Sequence, residues 1–269
     1  MSEAAAEMLA TKIRKTILTQ SKRANVGHIG SCLSIVDILA VLYGGVIQVA
    51  SPDDKDRDRL ILSKGHAALA LFGALNAIGV ITDDLLETFC SDGSTLGTHP
   101  EHVVSGIDFT TGSLGHGLPI GCGAALAARM QNSDRQIYVV VSDAECNEGA
   151  LWEGVMFAAH HRLSNLTAIV DMNGQQAFGY TRDVLDLSPL EDKWRAFGWD
   201  VLSADGHDHA ALAKALSGRD HEDAPRVVIA ATTFGKGVSF MENQLIWHYW
   251  PMTDDQFMTA IAELEAQEA

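Results

Sequence analysis

Short β-branched or apolar runs recur along the chain at Leu60–Leu62, Ile137–Val141, Leu166–Val170, Asp200–Ala204 and Arg226–Thr232, and they predict strands. Between them the apolar positions fall at helical spacing. Met8, Ile13, Ile17 and Leu18 mark an amphipathic helix over Ala4–Gln20, and Ser34 opens a second through Asp37, Leu39 and Tyr43. An Ala/Leu helix reaches about Ile78, a short one spans Thr82–Phe89, and an Ala-rich one runs to about Met130. Further helices are expected from Pro189 through Trp194, over His209–Leu216, and over Asp254–Gln267. Asn25–Ser31, the charged block Pro52–Arg59, the Gly/Thr/Ser/His-rich Ser91–Thr111 and the aromatic Phe234–Pro251 read as loops. Strands alternating with helices predict an α/β fold, a mostly parallel sheet with helices on both faces. No Pro/Ser-rich linker or repeat divides residues 1–269, which are expected to form one domain.

The centre of this pattern is Ile137–Gly179, a strand, a helix and a second strand. Its strands stop at Asp143 and Asn173, which parallel pairing brings to one sheet edge, where open α/β sheets bind ligands. A pair of hard oxygen ligands there suits Mg²⁺ on a phosphorylated ligand. The plainer alternative is that each residue caps the turn after its strand.

Composition narrows the function. A net charge of −16 argues against nucleic acid or an anionic membrane as the main partner. No apolar run is long enough to span a bilayer, and four scattered cysteines form neither a disulfide framework nor a zinc pattern. A cytoplasmic protein is expected.

Four histidines, His28, His66, His99 and His248, sit in loops beside Gly, Pro or Tyr and read as the lining of a cavity for hydroxyl and phosphate groups. The turn Gly112–Gly117 precedes a helix, so its N–H groups can face a phosphate or a ring nitrogen, or it can serve tight packing alone. Glu145 has an adequate local reason to start a helix, whereas Glu148 is free to point into an interface. His160, His161, His207 and His209 read as surface or helix-start residues without a role.

Together these segments resemble the transketolase family, in the half that binds the diphosphate of thiamine diphosphate. The likeness runs from about residue 8 to 250, through Gly27–Ser31, Ser63–Ala67, His99–Pro100, Thr111–Gly117, Asp143–Glu153, Asp171–Gly174, Lys193–Gly198, Gly206–Asp208, Gly235–Asn243 and Trp247–His248. The resemblance implies that Asp143, Asn173 and the Gln175 carbonyl hold Mg²⁺, with Ala144 and His66 on a phosphate and Gly112 and Leu114 lining the ring region. It implies that His28, His99 and His248 bond sugar hydroxyls or the carbonyl and assist proton transfer, His248 also lying at the cofactor. Glu148 is implied to lie at a subunit interface. A complete transketolase carries a pyrimidine-binding domain with the activating glutamate, and nothing in this sequence resembles it. The expectation is therefore the N-terminal subunit of a split, two-chain enzyme, a heterotetramer acting on sugars or sugar phosphates.

Departures from the family pattern bear on this reading. Ser142-Asp143-Ala144 replaces Gly-Asp-Gly, His116 replaces Gln, Ile29 replaces Pro, and Tyr249-Trp250 follow Trp247-His248 where a small residue is usual. The bulky changes imply specialised substrates in carbohydrate metabolism. Alternatives are a deoxyxylulose-phosphate-type or acyl-transfer enzyme of the same half-fold, or a non-catalytic partner that has lost the cofactor.

Overall fold

The computed structural model describes residues 3–48, 51, 54–217 and 223–268. Pro52 and Asp53, read above as part of a charged loop, lie outside the described residues.

In chain order, helices α1 (Glu3–Ala24), α2 (Ile29–Ser34) and α3 (Val36–Val41) precede strand β1 (Arg59–Leu62). Helices α4 (Ala68–Ala77), α5 (Asp83–Leu86) and α6 (Gly117–Met130) lead to β2 (Ile137–Ser142), α7 (Gly149–His160) and β3 (Leu166–Met172). A small hairpin, β4 (Gln175–Gln176) and β5 (Gly179–Tyr180), is followed by α8 (Thr181–Leu185) and α9 (Leu190–Ala196). Then come β6 (Asp200–Asp205), α10 (His209–Ser217), β7 (Arg226–Ala231) and α11 (Asp254–Glu268). The main sheet has the order β1-β2-β3-β7-β6, and every pairing is parallel.

Side-chain alternation along the strands divides the core. Leu60, Leu62, Tyr138, Val140, Ile169, Val228 and Ala230 face one layer with α1 to α4 and α10. Ile61, Val139, Val141, Ala168, Val170, Val227 and Ile229 face the other, with α6, α7 and Trp194 of α9. Burial on both faces explains why β2 and β3 read as unbroken β-branched runs. Gly121 lets α6 lie on β2, because a Cβ there would stand 2.5 Å from Val139 Cγ2. Gly123 has open space instead, so only Gly121 is required by close packing.

Several sequence expectations need correction. Asn25–Ser31 is not wholly a loop, because α2 begins at Ile29, directly after His28 in the left-handed region (φ 61°). Ser34 ends α2 and does not open a helix; the helix expected from it is α3, which starts at Val36 and runs into a π turn at Leu42–Val46. The helix after β2 begins as a 3₁₀ turn, Ala144–Asn147, before α7. In the described part of the charged block, Asp58 is buried and Arg57 pairs with Asp108 at 2.6 Å, so these residues are not an exposed loop.

Candidate functional site

The carboxyl ends of β1, β2, β3 and β7 deliver their next residues to one edge of the sheet. Ser142 pairs in register with Asp171, which sets Asp143 beside the turn that follows β3. Asp143 Oδ1 accepts from the Ala144 N–H (2.9 Å), and Oδ2 accepts from the Gly174 N–H (2.9 Å) and the Thr181 hydroxyl (3.0 Å). Burial first, then the Asp171 carboxylate, push Asp143 up to about 7 against those hydrogen bonds. Asn173 and Gln175 are also buried, and Asn173 Oδ1 accepts from the Gln175 N–H (2.9 Å). The Gln175 side-chain amide is buried with neither Nε2 nor Oε1 paired.

Asp143, Asn173 Oδ1 and the Gln175 carbonyl form a set of hard oxygens with one carboxylate, which fits the small protein contribution that Mg²⁺ ordinarily takes. Among the described residues no group of three or more His, Cys, Asp or Glu side chains gathers as an alternative metal site.

Behind these oxygens lies an ion pair with no exposed surface. Lys64 Nζ is 2.6 Å from Asp171 Oδ2, which also accepts from Ser34 Oγ (2.8 Å) and Asn173 Nδ2 (2.9 Å). Thr232 Oγ1 donates to Asp171 Oδ1. Lys64 further donates to the Ser31 carbonyl (2.9 Å), and the Ser31 hydroxyl meets His66 Nε2 at 2.9 Å. A continuous chain of contacts thus runs from His66 through Ser31, Lys64 and Asp171 to Asn173.

His28, His66 and His248 form a triangle, with ring centroids 5.3 to 5.4 Å apart. The His28 N–H donates to the His248 carbonyl (3.2 Å), tying the start of α2 to the 3₁₀ turn Leu245–His248. Burial, reinforced by Lys64 and the neighbouring rings, holds His66 well below the usual imidazole value. Burial and then His28 hold His248 down at about 4, and burial and then His99 lower His28. His99 is near enough to His28 and His66 to bear on their charge, and its ring lies against Gly112, where an added Cβ would stand 3.3 Å away. Gly112 in turn approaches Gly65, whose own Cβ would lie 3.0 Å from the Gly112 nitrogen. Leu114 is half-buried in the same turn. Glu148 is exposed and precedes α7 in an extended conformation, with its Cβ against Gly115 of that turn.

The altered Ser142 and Ala144 find local explanations. Ala144 lies in the 3₁₀ turn and is not among the residues with positive φ, so its methyl meets no left-handed backbone. Ser142 and Glu145 form a reciprocal capping pair: the Glu145 N–H donates to Ser142 Oγ (3.2 Å), and the Ser142 N–H donates to Glu145 Oε2 (2.9 Å).

Sequence reasoning missed Glu145, Lys64 with Asp171, and Asp37. Glu145 has no exposed surface and also binds Ser63 Oγ (2.5 Å) and the Gly115 N–H (2.8 Å). Burial raises its pKa, with Ser63 first among the groups that oppose the rise. The one available signal for Glu145 was the Ser-x-x-Glu spacing of a capping box. His207 and His209 are not idle surface residues either. His207 Nδ1 and His209 Nε2 meet the buried Asp37 carboxylate at 2.7 and 2.8 Å, beside Arg14. His207 Nε2 accepts from the Thr233 N–H (2.8 Å), so the proton toward Asp37 sits on Nδ1.

The sequence matches the family described as "Transketolase, thiamine diphosphate binding domain" over residues 5–266. It is 41% identical over 264 residues to the 6-deoxy-6-sulfo-D-fructose transketolase subunit SqwG of Clostridium sp. (strain MSTE9), covering 97% of this chain and 96% of that protein. It is 38% identical over 261 residues to one subunit of the apulose-4-phosphate transketolase of Phocaeicola vulgatus, covering 96% and 93%. The crystal structure of transketolase from Campylobacter jejuni superposes with a TM-score of 0.90 at 29% identity, covering 98% of this chain and 43% of that one.

Proposed function

The chain belongs to the transketolase family, and from that premise we propose that it is the N-terminal, diphosphate-binding subunit of a two-chain enzyme. The enzyme moves a two-carbon ketol unit from a ketose or ketose phosphate to an aldose. The observation that carries this reading is the hydrogen-bonded continuity from the histidine triangle to the oxygen ligands at the ends of β2 and β3. Carbohydrate contacts and an anchor for a charged tail thereby stand side by side.

Thiamine diphosphate, when bound, supplies the carbanion chemistry of ketol transfer. Asp143, Asn173 and the Gln175 carbonyl would hold Mg²⁺, while the Ala144 N–H and the His66 ring would meet phosphate oxygens. Gly112 and Leu114 would line the ring region. The lowered pKa values leave His28, His66 and His248 neutral at pH 7, each with one N–H donor and one acceptor. His28 and His248, with His99, are therefore suited to bond sugar hydroxyls or the carbonyl and to pass a proton, and His248 would also reach the cofactor.

A partner supplying the pyrimidine-binding domain and its activating carboxylate completes the site in this proposal, two copies of each chain assembling around exposed Glu148. The word "subunit" in the names of relatives that match along nearly their whole length supports a partner. Free cysteines accord with the cytoplasm as its place of work. A specialised donor or acceptor sugar is favoured by the names of those relatives and by exposed Tyr249 and Trp250 beside His248.

The test is reconstitution: each chain alone should be silent, and the co-purified pair should transfer ketol units within a panel of ketoses and aldehydes. Highest efficiency with ordinary pentose phosphates would remove the specialised substrate, and no transfer from any ketose would remove the reading itself. Asp143→Ala in the pair should abolish Mg²⁺-dependent cofactor binding while the circular dichroism spectrum is retained.

A further inference from the structure

The Glu145 carboxylate receives hydrogen bonds from three separate segments and gives none. Its Oε1 accepts from the Ser63 hydroxyl at the end of β1 and from the Gly115 N–H in the turn before α6. Its Oε2 accepts from the Ser142 N–H at the end of β2. Ser63 Oγ, its proton committed to Glu145, accepts from the Gly117 N–H at 3.0 Å. Two N–H groups of the Gly112–Gly117 turn are thus captured, one directly and one through Ser63.

The turn has little freedom to sit elsewhere. Gly115 is in the left-handed region (φ 78°), and a Cβ there would lie 2.5 Å from Glu148 Cβ. A Cβ on Gly117 would lie 2.4 Å from Ser63 Oγ. The same short segment that begins with Asp143 therefore sets the place of the Gly-rich turn, through Glu145 on one side and Glu148 on the other.

We propose that Glu145 is a positioning residue that fixes the ring-side Gly112–Leu114 turn relative to the diphosphate-side ligand Asp143. It thereby sets the spacing between the two ends of the cofactor site. The inference rests on the reading of this chain as a thiamine-diphosphate-binding subunit. The chemistry demands a carboxylate. An amide of the same shape turns one oxygen into a donor, which faces either the Gly115 N–H or the Ser142 N–H whichever way it is flipped. A donor facing a donor in a buried place is expelled, so the turn should shift in Glu145→Gln.

The experiment separates the two ends of the site. Titrations of the co-purified two-chain assembly with thiamine diphosphate plus Mg²⁺, and with inorganic diphosphate plus Mg²⁺, are compared between wild type and Glu145→Gln. The expected result is thiamine diphosphate binding weakened about tenfold or more with inorganic diphosphate binding unchanged. Ser63→Ala should show the same split more mildly, and it serves as the test if Glu145→Gln does not fold. Equal loss for both ligands would reduce Glu145 to a general stabiliser, and no loss for either would remove it from the site. A wild-type assembly that bound neither ligand would overturn the underlying function and this inference with it, whereas a wild type that binds both isolates the role of Glu145.

Discussion

At the scale of single residues, the site depends on charges held out of water. Lys64 and Asp171 compensate one another with no exposed surface, and Asp171 commits its remaining acceptor capacity to Ser34, Asn173 and Thr232. Removing one member of such a pair leaves the other uncompensated. Lys64→Met should destabilise the chain by about 3–5 kcal/mol in urea unfolding, and a loss below about 1 kcal/mol would show that water reaches Asp171. The histidines add a pH dependence. His28, His66 and His248 have folded pKa values below the ordinary 6.5, so between that value and the folded one the unfolded chain binds more protons. Their contribution to stability is present above pH 6.5 and is lost as pH falls, for His248 down to about 4. His248→Asn should flatten the fall in melting temperature over that window, and an unchanged slope would place the acid sensitivity elsewhere. None of the buried pairing was legible beforehand. A lysine in Ser63-Lys64-Gly65-His66 reads as an exposed loop cation until β3, far along the chain, brings Asp171 against it.

At the scale of elements, the strands were the most readable part, because a parallel sheet covered on both faces leaves no position for polar alternation. Asp200–Asp205 and Arg226–Ala231 also emerged close to the expected limits. Helix α2 was hidden because six residues carry less than two turns of periodicity, and because Gly27, His28 and Gly30 resemble loop residues. Gly30 is instead a packing residue: a Cβ there would strike the Phe234 ring at 2.1 Å. The capping pair Ser142–Glu145 shows the converse case. A carboxylate at a helix start has so complete a local explanation that its reach to Ser63 and Gly115 goes unsuspected. Contact between α6 and β2 gives the element-scale prediction. Gly121→Ala must push α6 off Val139, since the clash is with a strand held on both sides, and it should cost about 1–3 kcal/mol in chemical denaturation. Gly123→Ala, facing open space, should be neutral or slightly stabilising through helix propensity. Equal effects at the two positions would contradict the packing described.

At the scale of the whole molecule, one sheet edge collects Lys64, Asp143, Asn173 and Gln175, at or just beyond the carboxyl ends of β1, β2 and β3. The loops that lead there carry the polar atoms, and the elements behind them carry the burial. The family resemblance located these residues in the sequence, whereas their mutual support came only with the fold. Phe178, Tyr180, Ile246, Tyr249 and Trp250 remain exposed around this edge. The chain spans 43% of the Campylobacter transketolase it superposes on, but nearly the full length of relatives named as subunits. The most direct measurement is calorimetric titration of thiamine diphosphate into the co-purified pair, with and without Mg²⁺. Saturable binding that requires Mg²⁺ is the predicted result; absence of saturable binding, with the pair intact and Mg²⁺ in excess, would contradict the account.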